Sequence, residues 1–275
     1  MKKMYRICII LGCLSCGMSA TADEVKRVVT PLSLGLTYSM QIPSSSGIFR
    51  QTDVTVYGLR AGVWMIGEES FFAKSVYGMS LGLLALWDHK VAGLQFSGLG
   101  QAADELCGIQ VAGLVNLGKA RGLQCAGLFN SGQDTRGLQC AGLLNLGADA
   151  GGLQCAGLLN WNSGDMTGIQ IASGFNINTG KMSMGGRSRY APMTGIQVAG
   201  LINGTEQIDG MQMAVYNFTE TEMSGIQVGL VNFAKEACGV QIGLLNWADE
   251  SLKGLQVGLL NHKPGFYFPG LLVGW

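Results

Sequence analysis

The amino-acid sequence predicts an all-β protein that is built from tandem repeats. A Gln recurs along most of the chain, with steps of 15, 14, 15, 15, 16, 27, 15, 15, 14 and 15 residues. Most repeats end on Asn, as in GLQCAGLLN at 152–160. The repeated segments between Gly93 and Asn261 contain no charged residue, whereas connectors such as GQDTR and ADESLK do. A period this regular indicates a repeat architecture.

Each repeat has the character of a β-strand followed by a turn. The segments have eight or nine residues, are rich in Val, Ile, Leu and Gly, and are too short and too Gly-rich for helices. Strand alternation predicts two different faces for the repeat at 152–160. The apolar face would carry Leu153, Cys155, Gly157 and Leu159, and the small, amide-lined face would carry Gln154, Ala156, Leu158 and Asn160.

Two architectures accommodate this unit. The favoured one is an antiparallel, repeat-built β-barrel of outer-membrane type with on the order of 14–16 strands, because eight to eleven residues span a bilayer as a tilted strand. The alternative is a parallel β-solenoid with coils of about 15 residues, in which equivalent residues stack into ladders. Hairpin-like segments from residue 33 to residue 87 and the closing GLLVGW favour the barrel.

The first 22 residues read as a signal peptide. MKKMYR is basic, ICIILGCLSCGM is apolar, and Ala20-Thr21-Ala22 offers a cleavage site before Asp23. We therefore expect export and one β domain over 23–275, with repeat units over about 54–275 and a long loop over about 178–194. Charged residues are 13% of the chain and 48% of residues are hydrophobic, which favours a surface that faces lipid.

Cysteine usage does not indicate a disulfide framework. Three of the eight Cys lie in the signal peptide, which leaves an odd number. Cys125, Cys140 and Cys155 occupy a position that holds Val in other repeats, so we interpret them as small hydrophobic side chains. In a solenoid these three would stack at about 4.8 Å, the spacing of neighbouring strands.

The repeats resemble a known group of proteins. GIQVAGLVN, GLQCAGLLN and GIQVAGLIN, followed by the shorter GIQVGLVN, GVQIGLLN and GLQVGLLN, are similar to the bacterial surface-repeat family of exported proteins, of leptospiral type. The resemblance covers residues 54–275 and departs from the pattern between Asn176 and Gly195. It implies a location at the cell surface, and it brings no catalytic residue, cofactor or ligand.

The amide columns are the first candidate site. The amides would either line the lumen of a pore or satisfy one another as ladders across strands, because an unpaired buried amide costs about 1–3 kcal/mol. The residues concerned are Gln110, Gln124, Gln139, Gln154, Asn116, Asn130, Asn145 and Asn160.

The long loop is the second candidate site. It contains a basic cluster with one aromatic residue, and it would contact a protein or glycan partner, narrow a pore, or be solvated. Its residues are Lys181, Arg187, Arg189 and Tyr190.

Motifs of catalysis are weak. Gly78-Met79-Ser80-Leu81-Gly82 matches a nucleophile elbow but lacks a following helix. Gly98–Ala103 lacks the βαβ context of a dinucleotide fingerprint, and Asp88-His89 is better interpreted as a turn than as half of a metal or catalytic pair. We therefore expect no enzyme activity, no cofactor and no metal.

Two functions remain open from the sequence. The first is a passive pore with an amide-lined interior, in contact with the lipid bilayer of the outer membrane. The second is a surface interaction or structural scaffold protein that presents the loop at 178–194. A formal net charge of zero gives no indication of a nucleic-acid partner.

Overall fold

The computed structural model describes residues 27–37, 41–42, 53–65, 75–179 and 192–274. Of these residues, 87% lie in strands and none in helices, and the fold is a parallel β-solenoid of about 11 turns. The all-β prediction is confirmed. The chain forms two compact units, residues 1–123 and residues 124–275. The single-domain boundary 23–275 stays a prediction.

The strands follow one another with short bends. In chain order they are β1 (Arg27–Thr37), β2 (Gln41–Ile42), β3 (Asp53–Met65), β4 (Ser75–Ser97), β5 (Gly100–Ala112), β6 (Val115–Ala126), β7 (Phe129–Ala141), β8 (Leu144–Ala156), β9 (Leu159–Asn162), β10 (Met166–Ala172), β11 (Phe175–Asn178), β12 (Pro192–Ala199), β13 (Ile202–Thr205), β14 (Gln207–Met213), β15 (Tyr216–Val228), β16 (Val231–Ile242), β17 (Leu245–Lys263) and β18 (Phe266–Gly274).

The N-terminal unit is stacked in parallel from its first long strands. β1 pairs in parallel with β3, β3 with β4, and the second half of β4 with β5. The short β2 pairs antiparallel with β1. The predicted hairpins at 33–87 are therefore wrong for the long strands, because each lies one coil above the preceding one and runs in the same direction.

The C-terminal unit repeats one register from coil to coil. β7 pairs with β8 so that Gln139 faces Gln154, Asn130 faces Asn145 and Cys140 faces Cys155. The 27-residue step does not break this register, because β10 pairs in parallel with β12 and Gln170 faces Gln197. The insertion between Asn176 and Gly195 therefore leaves the register of the flanking coils intact. In the sequence, the extra residues lie between β11 and β12.

A glycine corner lies two residues before each Gln of the repeats, as Gly239 does before Gln241. Gly239 has a φ of 136°, which only glycine adopts readily. A Cβ there would also collide with the carbonyl oxygen of Gly225, the equivalent residue one coil earlier. A second bend, Gly157-Leu158 in the long repeats, lies between the Gln strand and the Asn strand, and its N–H groups donate to carbonyls of the previous coil. Every coil thus turns without losing its backbone ladder.

The barrel prediction is wrong, and the alternative solenoid is correct. In a barrel, successive repeats would run in opposite directions and equivalent residues would not be level. Here each repeat is one full coil, so the same residue type recurs at the same height in neighbouring strands. Length and polarity of the segments are the same in both architectures. The register of identical side chains distinguishes them.

Apolar side chains lie in the interior beside the amides, and the larger ones form a column. In the C-terminal unit it comprises Ala150, Met166, Met193, Ile208, Met223, Ala237 and Leu252, all buried. The unit ends at β18, the predicted closing strand, which pairs antiparallel with β17. There Leu272 faces Gln256, so an apolar side chain stands where another coil would place Gln. β18 therefore caps the end of the stack.

No α-helix long and apolar enough to cross a membrane occurs in the part of the chain that the structure describes. The signal-peptide prediction over 1–22 and most of the loop at 178–194 fall outside the described residues.

Candidate functional site

The Gln side chains form a continuous hydrogen-bonded ladder inside the C-terminal unit. Gln139 Nε2 donates to Gln124 Oε1 at 2.8 Å, and Gln154 Nε2 donates to Gln139 Oε1 at 2.7 Å. The same bond continues to Gln256 with distances between 2.6 and 2.9 Å. These side chains are 0–2% exposed. In the N-terminal unit, Gln110 Nε2 donates to Gln95 Oε1 at 3.0 Å.

The Asn side chains form a second ladder beside the first. Asn130 Nδ2 donates to Asn145 Oδ1 at 2.9 Å, and Asn145 Nδ2 donates to Asn160 Oδ1 at 2.8 Å. The other Nδ2 hydrogen of Asn145 reaches the carbonyl oxygen of Cys155 at 2.8 Å, near the bend of the next coil. In the N-terminal unit, Gln101 takes the place of an Asn and donates to Asn116 Oδ1 at 2.9 Å. Each Asn of the ladder from Asn130 to Asn246 thus bonds both to its own column and to the backbone.

The two ladders point in opposite directions. Each Gln donates to the preceding coil, whereas each Asn donates to the following coil. Chains of hydrogen bonds polarise one another, and two antiparallel chains oppose their dipoles. The interior therefore carries aligned amides without a large net dipole along the stack. Asn162 lies beside the Gln column, and its Nδ2 donates to Gln154 Oε1 at 2.7 Å.

The predicted amide residues lie in these ladders. Gln110 and Asn116 belong to the N-terminal unit, and Gln124, Gln139, Gln154, Asn130, Asn145 and Asn160 belong to the C-terminal unit. All of them are buried and hydrogen-bond to other amides. The identical amide in the neighbouring coil lies about 4.7–4.9 Å away, so the amides of one column pair with one another.

A buried ion pair lies in the N-terminal unit. Arg60 in β3 and Asp88 in β4 are both fully buried, and Arg60 Nη1 forms an ion pair with Asp88 Oδ1. Ser80 Oγ and Gln95 Nε2 donate to Asp88 Oδ2 at 2.9 and 3.1 Å. Burial lowers the pKa of Arg60 to about 10. Sequence reasoning missed this pair, because nothing in the spacing of 28 residues brings Arg60 to Asp88 without the coil register.

The structure also separates two residues that are adjacent in sequence. Strand alternation sends Asp88 inward, while His89 lies on the outer side with Nδ1 at 2.6 Å from Asp104 Oδ2. The two therefore do not form a joint catalytic or metal pair. Ser80, the serine of the elbow-like motif, is buried in a strand and donates to Asp88. No helix follows it in the described chain, so the strained elbow geometry is absent there.

The three stacked thiols lie on the outer side of the C-terminal unit. Cys125, Cys140 and Cys155 are half-buried and form no disulfide, and Cys140 is level with Cys155. Burial raises the pKa of the Cys125 and Cys155 thiols, and contact with Cys140 raises it further. Among the residues that the structure describes, no group of three or more His, Cys, Asp or Glu side chains could hold a metal ion.

The outer surface is apolar over two strands of every coil. Residues on both sides of each Gln and each Asn project outward, and the bend adds an exposed Leu. Leu158 belongs to this bend and is 45% exposed, so its predicted place beside Gln154 and Asn160 is wrong. The bend at Gly157-Leu158 interrupts strict alternation and turns Leu158 outward. Charged side chains occupy the remaining part of the coil, as in the ion pair of Lys235 with Glu250.

The predicted loop contacts Lys181, Arg187, Arg189 and Tyr190 lie outside the described residues, so their role stays a prediction. No known protein family, curated protein or solved structure matches this chain.

Proposed function

We propose that this chain is an exported, non-enzymatic scaffold protein of the bacterial surface or outer membrane. The observation that carries the proposal is the division of each coil into three parts. In the C-terminal unit the interior holds amides that hydrogen-bond to one another, the outside of two strands is largely apolar, and charged side chains such as Lys235 and Glu250 lie in the connector.

The filled interior supports a scaffold rather than a passage for solutes. A channel needs polar groups that exchange hydrogen bonds with water, whereas the side chains of Gln139, Gln154 and Asn145 form their hydrogen bonds with neighbouring amides. A stack of such coils is also stiff, since each coil is held by a backbone ladder and two side-chain ladders. Such stiffness is consistent with the role of a structural scaffold.

The apolar outside supports a role in contact with another surface. Monomeric soluble proteins rarely expose contiguous apolar patches above a few hundred Å². Here Leu143, Leu158 and Leu201 are 45–50% exposed at the same bend in different coils, together with apolar residues beside them. A protein or a lipid surface would cover such columns at a gain of about 25 cal/mol per Å².

Two measurements test the proposal. Fractionation and surface labelling of the producing cell should find the protein in the envelope, with connector lysines such as Lys235 accessible from outside. Purified protein in planar bilayers should give no discrete conductance steps. A cytoplasmic location would contradict the first part, and reproducible unit conductance would contradict the second.

A further inference from the structure

An apolar groove runs along the last coils of the C-terminal unit. Its volume is about 900 Å³, and it is open to solvent along its length. One wall is the column of residues that follow Gln, which includes Val228, Ile242 and Val257. The other wall is the column of bend residues Leu230, Leu244 and Leu259.

The groove arises from a shortened repeat. In the long repeats the step from Gln to Asn is six residues, as from Gln154 to Asn160, whereas from Gln212 onward the step is five. From Gln227 onward the omitted residue is the inward Ala, so a single Gly both forms the bend and faces inward. At Gly243 a Cβ would lie 2.6 Å from Asn232 Nδ2, which explains the absence of a side chain there. Bare backbone therefore forms the floor of the groove.

A ridge lies directly beside the groove. It consists of the bend residues Leu230, Leu244 and Leu259, which are 51%, 47% and 71% exposed. Both the ridge and the groove inherit the coil spacing of 4.7–4.9 Å. A ridge with this spacing matches a groove with the same spacing, as side chains of one surface fit between those of another in a packed interface.

We propose that the groove is occupied by a second copy of this chain, with the ridge of each copy lying in the groove of the other. The inference deepens the proposed scaffold function and rests on it, since it names the partner of the apolar face. Two copies related by a two-fold axis perpendicular to the stack make this contact twice, which is the isologous arrangement of most homodimers.

Area and charge both favour a second copy. The half-exposed apolar columns of the C-terminal unit, which continue from the ridge through Leu201, Leu158 and Leu143, offer on the order of 1,000 Å² per copy, against about 800 Å² per partner in a standard interface. The groove is lined by apolar side chains and glycines alone, so two copies would bury no unpaired charge. Acidic and basic residues on the connector stay in water at the rim.

The test is the oligomeric state of the purified chain and of three variants. Wild-type protein at about 10 µM should be a dimer by sedimentation velocity and light scattering. Leu230→Lys and Leu244→Lys place a charge on the ridge and should weaken the dimer by at least about tenfold in Kd. Cys238→Lys is the matched control, because Cys238 is exposed on the connector side and faces Lys253 in the next coil. This control should dimerise like wild type.

Far-ultraviolet circular dichroism and the thermal midpoint show whether the ridge variants keep the fold. Because the ridge is about half exposed, both readouts should match wild type. A wild-type monomer, or ridge variants that dimerise as well as wild type, would overturn the proposal. So would a monomer that instead floats with phosphatidylethanolamine–phosphatidylglycerol vesicles, which would assign the groove to lipid. Bilayer conductance and envelope location are measured independently of the oligomeric state. A failure of the dimer proposal can therefore be distinguished from a failure of the proposed scaffold function.

Discussion

Gln154 donates a hydrogen bond to Gln139 at 2.7 Å, and the two side chains belong to neighbouring coils at the same height. The bond exists only because a 15-residue coil returns the chain to the same place. Each amide is a donor to one neighbour and an acceptor from the other, so a Gln in the middle of the column is satisfied by identical residues. Because the repeat length equals the coil length, the repeated Gln residues lie in one buried, hydrogen-bonded column.

Replacing one Gln of the ladder should therefore lower the free energy of unfolding by more than the contribution of a single hydrogen bond. Gln154→Leu keeps the side-chain volume but leaves Gln139 Oε1 without its donor and Gln170 Nε2 and Asn162 Nδ2 without their acceptor. We expect a loss of about 3 kcal/mol in the free energy of unfolding, measured by urea denaturation. Leu158→Gln is the matched control on the exposed bend and should change stability by less than about 0.5 kcal/mol. Equal effects of the two substitutions would argue against a ladder that stabilises the fold.

The corner glycines should tolerate no side chain. Gly239→Ala forces a φ of 136° on alanine and drives its Cβ into the carbonyl oxygen of Gly225. We expect a loss of about 3 kcal/mol or more, seen as a lower thermal midpoint or failure to fold.

Gly204 provides the contrasting site. A Cβ there would meet nothing within 4 Å, and its neighbours in adjacent coils are Ile177 and Phe218. Gly204→Ala should leave the midpoint unchanged or raise it, with a gain of about 0.4–1 kcal/mol. If both alanine variants behaved alike, the corner geometry would not be the reason for glycine.

Much of the local structure could be predicted from the sequence. The Gln and Asn periods predicted strands, and the charge-free segments predicted which residues flank the bends. The alternation correctly placed Gln154 and Asn160 on one face and Cys155 on the other. These inferences depend only on neighbours along the chain, where backbone geometry leaves few choices.

The choice between barrel and solenoid could not be made in the same way. A strand of eight to eleven residues serves both, and the direction of the next strand depends on whether the intervening connector turns back or completes a coil. Asp134 and Thr135 lie in β7 with the flanking residues, so the supposed turn is itself part of the ladder. The connectors looked like turns because they are polar and contain Gly, but they form the third side of the coil. The Arg60–Asp88 pair was invisible for the same reason.

The buried ion pair yields a prediction about charge. Asp88→Asn keeps an acceptor for Ser80 and Gln95 but leaves the Arg60 cation buried without its counter-ion. We expect a loss of about 3–5 kcal/mol in the free energy of unfolding of the N-terminal unit. Adding Arg60→Met removes the buried cation, so the double variant should recover at least half of that loss. Urea unfolding monitored by tryptophan fluorescence measures the stability of the single and the double variant. If the double variant were no more stable than Asp88→Asn, the unpaired Arg60 cation would not be the cause of the lost stability.

The stacked thiols should react slowly and with a marked dependence on pH. Only the thiolate is nucleophilic, and burial and the Cys140 contact raise the pKa of Cys125 and Cys155, so the reactive fraction at neutral pH is reduced. Alkylation with iodoacetamide, followed by peptide mass spectrometry, should modify Cys125 and Cys155 more slowly than the exposed Cys238, and their rates should still be rising above pH 9. Rising pH speeds alkylation but lowers the stability of the fold. Because the pKa of these thiols is higher in the folded than in the unfolded protein, their contribution to the free energy of unfolding is fully present below about pH 9, and it is lost as pH rises through the folded pKa. Equal alkylation rates at all three positions would contradict a half-buried column.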